Sequence, residues 1–140
     1  MIDFDNQTDT NLDITLLESI ATFLSPREVE LILLDDEAMR KINQEHRGID
    51  KSTDVLSFPL EGGDFLPLGS ILLSIDRVRA EAELRGHSIE AEAALLFIHG
   101  MLHLLGYDHE YDQGEQRLKE EELITRFGLP SSLIVRTEES

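Results

Sequence analysis

The stretch His99-Gly100-Met101-Leu102-His103-Leu104-Leu105-Gly106-Tyr107-Asp108-His109 holds three of the chain's five histidines. His99 and His103 are four residues apart. On a helix that spacing turns the chain through about 400°, so the two imidazoles emerge about 40° apart on one face. Their Cβ atoms then lie about 5–6 Å from each other. Ring nitrogens so placed can reach a single ion at the ~2.0–2.1 Å that zinc takes from histidine. Gly106 follows three residues after His103 and suits the left-handed cap that ends a helix, after which the chain can turn back and deliver His109. Three protein ligands leave a fourth position for water, the arrangement of a catalytic rather than a structural zinc centre. The expected metal set is therefore His99, His103 and His109 around one Zn2+ per chain.

The spacing follows the zinc-protease pattern H-E-x-x-H-x-x-G-x-x-H at all positions but one. Gly100 stands where those proteases carry their glutamate base. The ligand half of a metallohydrolase is present and its usual base is absent, which argues against peptide hydrolysis. The other two histidines, His46 and His87, have no ligand spacing to the cluster and read as structural or surface residues.

A metal site needs a rigid frame. The segment around the histidines supplies one, because Ala91, Ala93, Ala94, Leu95, Leu96, Phe97, Ile98, Met101, Leu102, Leu104 and Leu105 make a helix apolar almost all round. Such a helix in a water-soluble chain must be central and buried. Ser88 is its expected N-cap, with Glu90 in the first turn. Upstream, Ile2 to Asp5 reads as a short strand. Leu12, Leu16, Leu17, Ile20, Ala21, Phe23 and Leu24 recur at helical spacing up to the break at Ser25-Pro26. Val29 to Leu34 ends in a continuous apolar run, as a strand covered on both faces does. Asp35-Asp36 can cap a second helix carrying Ala38, Met39 and Ile42. Thr53 to Phe58 is a third strand closed by Pro59, and Gly62-Gly63 and Gly69 bracket a loop. Ser70 to Ile75 is a fourth strand, Asp76 opens a third helix reaching about Arg85, and a last helix runs from about Asp112 to Phe127. The expected fold class is α+β: a sheet of about four strands with about five helices, packed chiefly on one face, and the metal-ligand helix central and buried.

The 140 residues fit a single domain, 1–140, with room for a proper core. The absence of cysteine excludes disulfides and thiolate metal sites. The start, Met1-Ile2-Asp3-Phe4-Asp5, lacks the basic and apolar regions of a signal peptide, and the most apolar run is too short to span a bilayer. No membrane association and a cytoplasmic location are expected. The formal charge of −17 opposes non-specific binding to polyanions. Seven of the twelve basic residues nevertheless fall between positions 40 and 85: Arg40, Lys41, Arg47, Lys51, Arg77, Arg79 and Arg85. They form either a local positive face or ordinary solvated helix surfaces.

A second stretch with chemical character is His46-Arg47-Gly48-Ile49-Asp50-Lys51-Ser52-Thr53-Asp54-Val55-Leu56-Ser57-Phe58-Pro59, a polar turn running into a strand. Together the two stretches resemble the YbeY family, bacterial rRNA maturation factors described as single-strand-specific endoribonucleases. The family motif H-G-x-L-H-L-x-G-Y-D-H is met from His99 to His109. The motif R-x-x-D-K-x-T-D-V-L-S-F-P is met by Arg47, Asp50, Lys51 and Thr53 to Pro59. The order of elements extends the resemblance over nearly the whole chain. One departure stands out: the family's L-G-D-I is here Leu68-Gly69-Ser70-Ile71, so Ser70 cannot supply a carboxylate.

The resemblance implies a zinc-dependent endoribonuclease acting on single-stranded RNA. It implies a role at the 3′ end of small-subunit 16S rRNA and in ribosome quality control, with ribosomal or ribosome-assembly proteins as partners and no DNA. It also implies a positive groove containing Arg47 as the catalytic residue that binds the scissile phosphate. With no glutamate at position 100, three sources of nucleophile activation remain: zinc-bound hydroxide, the ribose 2′-OH, or a nearby carboxylate such as Asp108 or Glu110. Two other readings stand beside the nuclease: a metal hydrolase with a non-RNA substrate, and a ribosome-assembly binding factor whose metal is idle or structural.

Overall fold

The computed structural model describes residues 1–60, 66–108 and 112–130. The loop glycines Gly62 and Gly63 lie outside them. Along the chain the elements are β1 (Ile2–Asn6), α1 (Thr15–Leu24), β2 (Val29–Leu34), α2 (Asp36–Arg47), β3 (Val55–Pro59), β4 (Gly69–Ser74), α3 (Ile75–Arg85), α4 (Ile89–Leu104) and α5 (Glu115–Arg126). The sheet order is β1-β2-β4-β3, with β1, β2 and β4 parallel and β3 antiparallel to β4.

Side chains alternate across this sheet with period two. Val29, Leu31, Leu33, Ile71 and Leu73 point to one face, where they meet α1, α3 and α4 in the main core. Leu34, Leu56 and Leu72 point to the other and meet Met39 of α2. Both central strands are thus covered on both sides, as their unbroken apolar runs require. The helices are indeed chiefly on one face, with α2 alone on the other.

α4 has the sheet beneath it, α1 and α3 at its flanks, and α5 on its outer side. That sandwich is why the helix is apolar all round. Phe97, Ile98, Met101 and Leu102 are fully excluded from solvent, each contributing about 1.5–3 kcal/mol by burial. Its N-cap is Ser88, whose Oγ accepts the Ala91 N–H at 3.1 Å, a contact worth about 1 kcal/mol. At its other end the Gly106 N–H donates to His103 O at 3.1 Å and the Tyr107 N–H to Leu102 O at 2.9 Å. With Gly106 at φ 100°, this is the left-handed helix stop expected at that glycine.

Three of the boundaries that differ from the sequence reading do so through local polar chemistry. α1 starts at Thr15, not Leu12, because Asp13 Oδ1 accepts the Thr15 N–H at 2.9 Å and shapes a turn first. Ile75 belongs to α3, not to the fourth strand, and Ser74 rather than Asp76 is the N-cap. Asp76 serves a neighbour instead, its Oδ2 accepting the Asp36 N–H at 2.7 Å. α5 starts at Glu115, because Asp112 accepts from the Gly114 and Gln116 N–H groups at 2.8 and 3.1 Å and holds the preceding turn.

Candidate functional site

α4 carries His99 and His103 on one side, one turn apart. Their Nε2 atoms converge to 3.1 Å, with ring centroids 4.7 Å apart and planes at 72°. Two nitrogens bound to one tetrahedral ion at zinc distances sit about 3.3–3.4 Å apart. The pair therefore needs to shift only a few tenths of an ångström to share an ion. Behind His99, Glu120 Oε1 accepts from Nδ1 at 2.7 Å, and Gln116 Nε2 donates to the same oxygen at 3.3 Å. A carboxylate on Nδ1–H fixes the tautomer whose Nε2 lone pair faces outward, the usual support of a metal-binding histidine. Glu120 is only 3 % exposed, so the support is a buried one. His109 and Glu110 lie outside the described residues. Among the described residues no three His, Cys, Asp or Glu side chains are placed to hold a metal.

Glu120 and Gln116 were not singled out from the sequence. A signal existed: Gln116, Glu120, Leu123 and Ile124 are the buried positions of α5. Two polar residues thus sit in what should be an apolar stripe.

Gly100, between the ligand positions, faces the sheet. A Cβ there would lie 3.1 Å from both Ile71 Cγ2 and Ser57 Oγ and 3.2 Å from Ile71 Cδ1. The missing glutamate thus has a packing reason, since a Cβ at position 100 would be in tight contact with Ile71 of β4 and Ser57 of β3.

Arg47 is the last residue of α2, ahead of the left-handed C-cap Gly48. It reaches the same cleft as the histidines. An opening of about 500 Å³ is lined by Arg47, the β3 residues, His99, His103 and Asp108. Arg47 has no ion-pair partner among the described residues, unlike Arg40, Arg77 and Arg85, which pair with Asp50, Asp36 and Glu81. The turn after Arg47 is pinned at successive points. Arg40 holds Asp50 through two hydrogen bonds at 2.8 and 3.3 Å, and Asn43 Nδ2 donates to Lys51 O at 2.8 Å. Ser52 Oγ donates to Asp36, and the Ser74 N–H to Asp54 O at 3.0 Å. The Arg40 guanidinium, by hydrogen bond and charge, holds the Asp50 carboxyl below its usual range. Burial pushes the Asp36 carboxyl up, but hydrogen bonds from Ser52 and Ser74 and the Arg77 guanidinium together outweigh it and leave it lowered.

The remaining candidates fall elsewhere. His46 is exposed, its ring 5.2 Å from that of Phe58. His87 is half-buried, with Nε2 3.0 Å from Glu92 Oε1. Ser70 points to the α2 side of the sheet, where its Oγ donates to Glu30 Oε1 at 2.7 Å. A side chain at position 70 is therefore across the sheet from the histidine helix. Arg79 donates to Thr10. With Arg77 and Arg85 ion-paired, the Arg77–Arg85 group is a set of helix-surface contacts and not a groove. No helix among the described residues is long and apolar enough to cross a membrane.

A family model described as Endoribonuclease YbeY matches residues 3–128. A protein named endoribonuclease YbeY from Wolinella succinogenes is 99% identical over 139 residues, covering 99% of both chains. Its namesake from Nautilia profundicola is 57% identical over 99% of this chain and 100% of its own. The solution structure of the Thermotoga maritima protein TM1509 superposes with a TM-score of 0.67 at 29% identity, over 91% of this chain and 89% of that one.

Proposed function

The chain belongs to the endoribonuclease YbeY family, and from that premise we propose that it is a zinc-dependent endoribonuclease that cleaves single-stranded RNA in the cleft between Arg47 and the histidine helix. The observation that carries this reading is the pair of Nε2 atoms 3.1 Å apart, backed by Glu120 and sharing one cleft with Arg47. His99 and His103, with His109 as third ligand, would hold the ion. When bound, zinc supplies Lewis acidity and lowers the pKa of water towards neutrality.

The chain's own groups do the rest. Arg47 presents a planar fork of donors to two non-bridging phosphate oxygens and fixes the diester against the histidine helix. Asp108 lines the same cleft and in this reading would take a proton from the attacking hydroxyl. Gly100 leaves no room for a protease-type base. The physiological substrate in this proposal is rRNA, at the 3′ end of the small-subunit species, with a part in ribosome quality control. An acidic chain, half of whose described arginines are ion-paired, suits delivery to that substrate by ribosomal or assembly proteins better than capture of bare RNA.

The test is cleavage of a single-stranded RNA by purified protein, with and without chelator, and by His103→Ala. Loss of cleavage in both controls is the expected result. Cleavage persisting in both would overturn the proposal.

A further inference from the structure

β3 is an edge strand, and its unpaired edge lines the cleft. Two hydrogen bonds fix the phase of its ladder with β4: Leu60 N–H to Leu68 O at 3.2 Å and Ser74 N–H to Asp54 O at 3.0 Å. In an antiparallel pair, alternate residues point their main-chain groups at the partner. Positions 54, 56, 58 and 60 therefore face β4, and positions 55, 57 and 59 face outward. Of the outward three, the Val55 N–H is held by Asp54 Oδ1 at 2.9 Å. Pro59 has no N–H. The Ser57 N–H is left as the single donor on that edge and has no partner among the described residues.

Its position is specific. The Ser57 side chain abuts α4 at Gly100, Oγ lying 3.5 Å from Gly100 O, which is between the two ligand histidines. The main chain of Ser57 thus borders the cleft beside the His99–His103 turn. An open strand edge is normally blunted against pairing with other chains. Here two of three donors are removed and the one beside the histidines is kept. A peptide strand added to this edge would find too few donors, whereas a single anionic oxygen needs only one.

We infer that the Ser57 main-chain N–H donates to a non-bridging oxygen of the scissile phosphodiester, acting with Arg47. The inference rests on the RNA-cleaving role proposed above and adds a substrate contact to it. Ser57→Pro removes the donor without touching the ladder, and the native Pro59, in the same outward phase, shows that the strand accommodates proline. A main-chain ester at Ser57 removes the same N–H while keeping the side chain, and Ser57→Ala removes only the hydroxyl.

The experiment is single-turnover cleavage of an RNA oligonucleotide, with melting temperature and zinc content measured on each protein. The RNA is used unmodified and with an Rp or Sp phosphorothioate at its mapped cleavage site. Absence of chelator-sensitive cleavage by the wild type would overturn the nuclease assignment and this inference with it. With an active wild type, the ester and proline variants are expected to lose about 10²–10³ in rate, the typical cost of one oxyanion donor. Melting and zinc content should hold, and Ser57→Ala, which keeps the N–H, should lose clearly less rate than the ester. One phosphorothioate diastereomer should slow the wild type, and that slowing should shrink in the ester variant. If proline unfolds the strand, the ester decides. Wild-type cleavage by the ester, an undiminished sulfur effect, or a Ser57→Ala loss equal to the ester's would each overturn the inference.

Discussion

At the scale of single residues, the proposed function divides the cleft into groups that would contact substrate and groups that would support a metal ligand. Arg47 is exposed, terminal on its helix and free of ion pairs among the described residues. Its loss should therefore cost turnover and not folding. Arg47→Ala is expected to slow single-turnover cleavage by about 10²–10³, and Arg47→Lys to recover part of that by restoring charge without the fork. Melting temperature and zinc content should match the wild type; a collapsed melting temperature would recast Arg47 as structural. Glu120 has the opposite profile. Removing the carboxylate behind a ligand histidine typically weakens metal about 10–100-fold. Competition with a zinc chelator should show that loss in Glu120→Ala and a smaller one in Glu120→Gln, and unchanged affinity in both would dismiss the support role. Gly100→Glu, which restores the protease spelling, should lower stability by about 1–3 kcal/mol or more by overpacking. It should create no peptidase, because its Cβ is already against Ile71 and Ser57.

At the scale of elements, the turn from Gly48 to Asp54 behaves as a pinned strap that sets both Arg47 and β3. Two of its anchors are carboxylates, Asp36 and Asp50, each with a lowered pKa. A carboxyl depressed in the folded state stabilises it above the unfolded value of about 3.9, and that contribution is lost as pH falls through the folded value. The strap should therefore loosen below about pH 4 and not on the alkaline side. Amide exchange at residues 49 to 54, followed from pH 5 to pH 2, should rise ahead of exchange in α4. Asp36→Asn should flatten the rise, and an identical profile in that variant would remove Asp36 from the strap.

At the scale of the whole molecule, charge decides how RNA is met. The chain carries −17, and Arg40, Arg77 and Arg85 are already paired internally. Few cations remain to displace counterions, so binding to bare single-stranded RNA should be weak with a shallow salt dependence. Each phosphate contact on single strands adds about 0.7 to the slope of log affinity against log salt. A slope near −1 is expected, falling towards zero in Arg47→Ala, as fluorescence anisotropy across a salt series would report. A slope of about −4 would mean several further phosphate contacts and would overturn this reading.

The histidine spacing, the glycine stop and the all-round apolar helix were legible in the sequence because each is local: four residues, one φ angle and one run of side chains determine them. The sheet's central strands were legible for the same reason, being apolar on both faces. The convergence of α5 on α4 was not. Glu120 lies 21 residues from His99, and only docking of one helix on another brings its carboxylate to Nδ1. Nor could spacing show that Gly100 is a contact point or that Ser70 faces away from the histidines, since both depend on which side of the sheet α4 covers. The charge pattern left two readings open at Arg77 to Arg85, because a list of cations does not reveal which carboxylates fold against them. The phase of β3, and with it the outward-facing Ser57 N–H, was decided only by pairing with β4, since a strand's register is a property of two chains of hydrogen bonds and not of either alone.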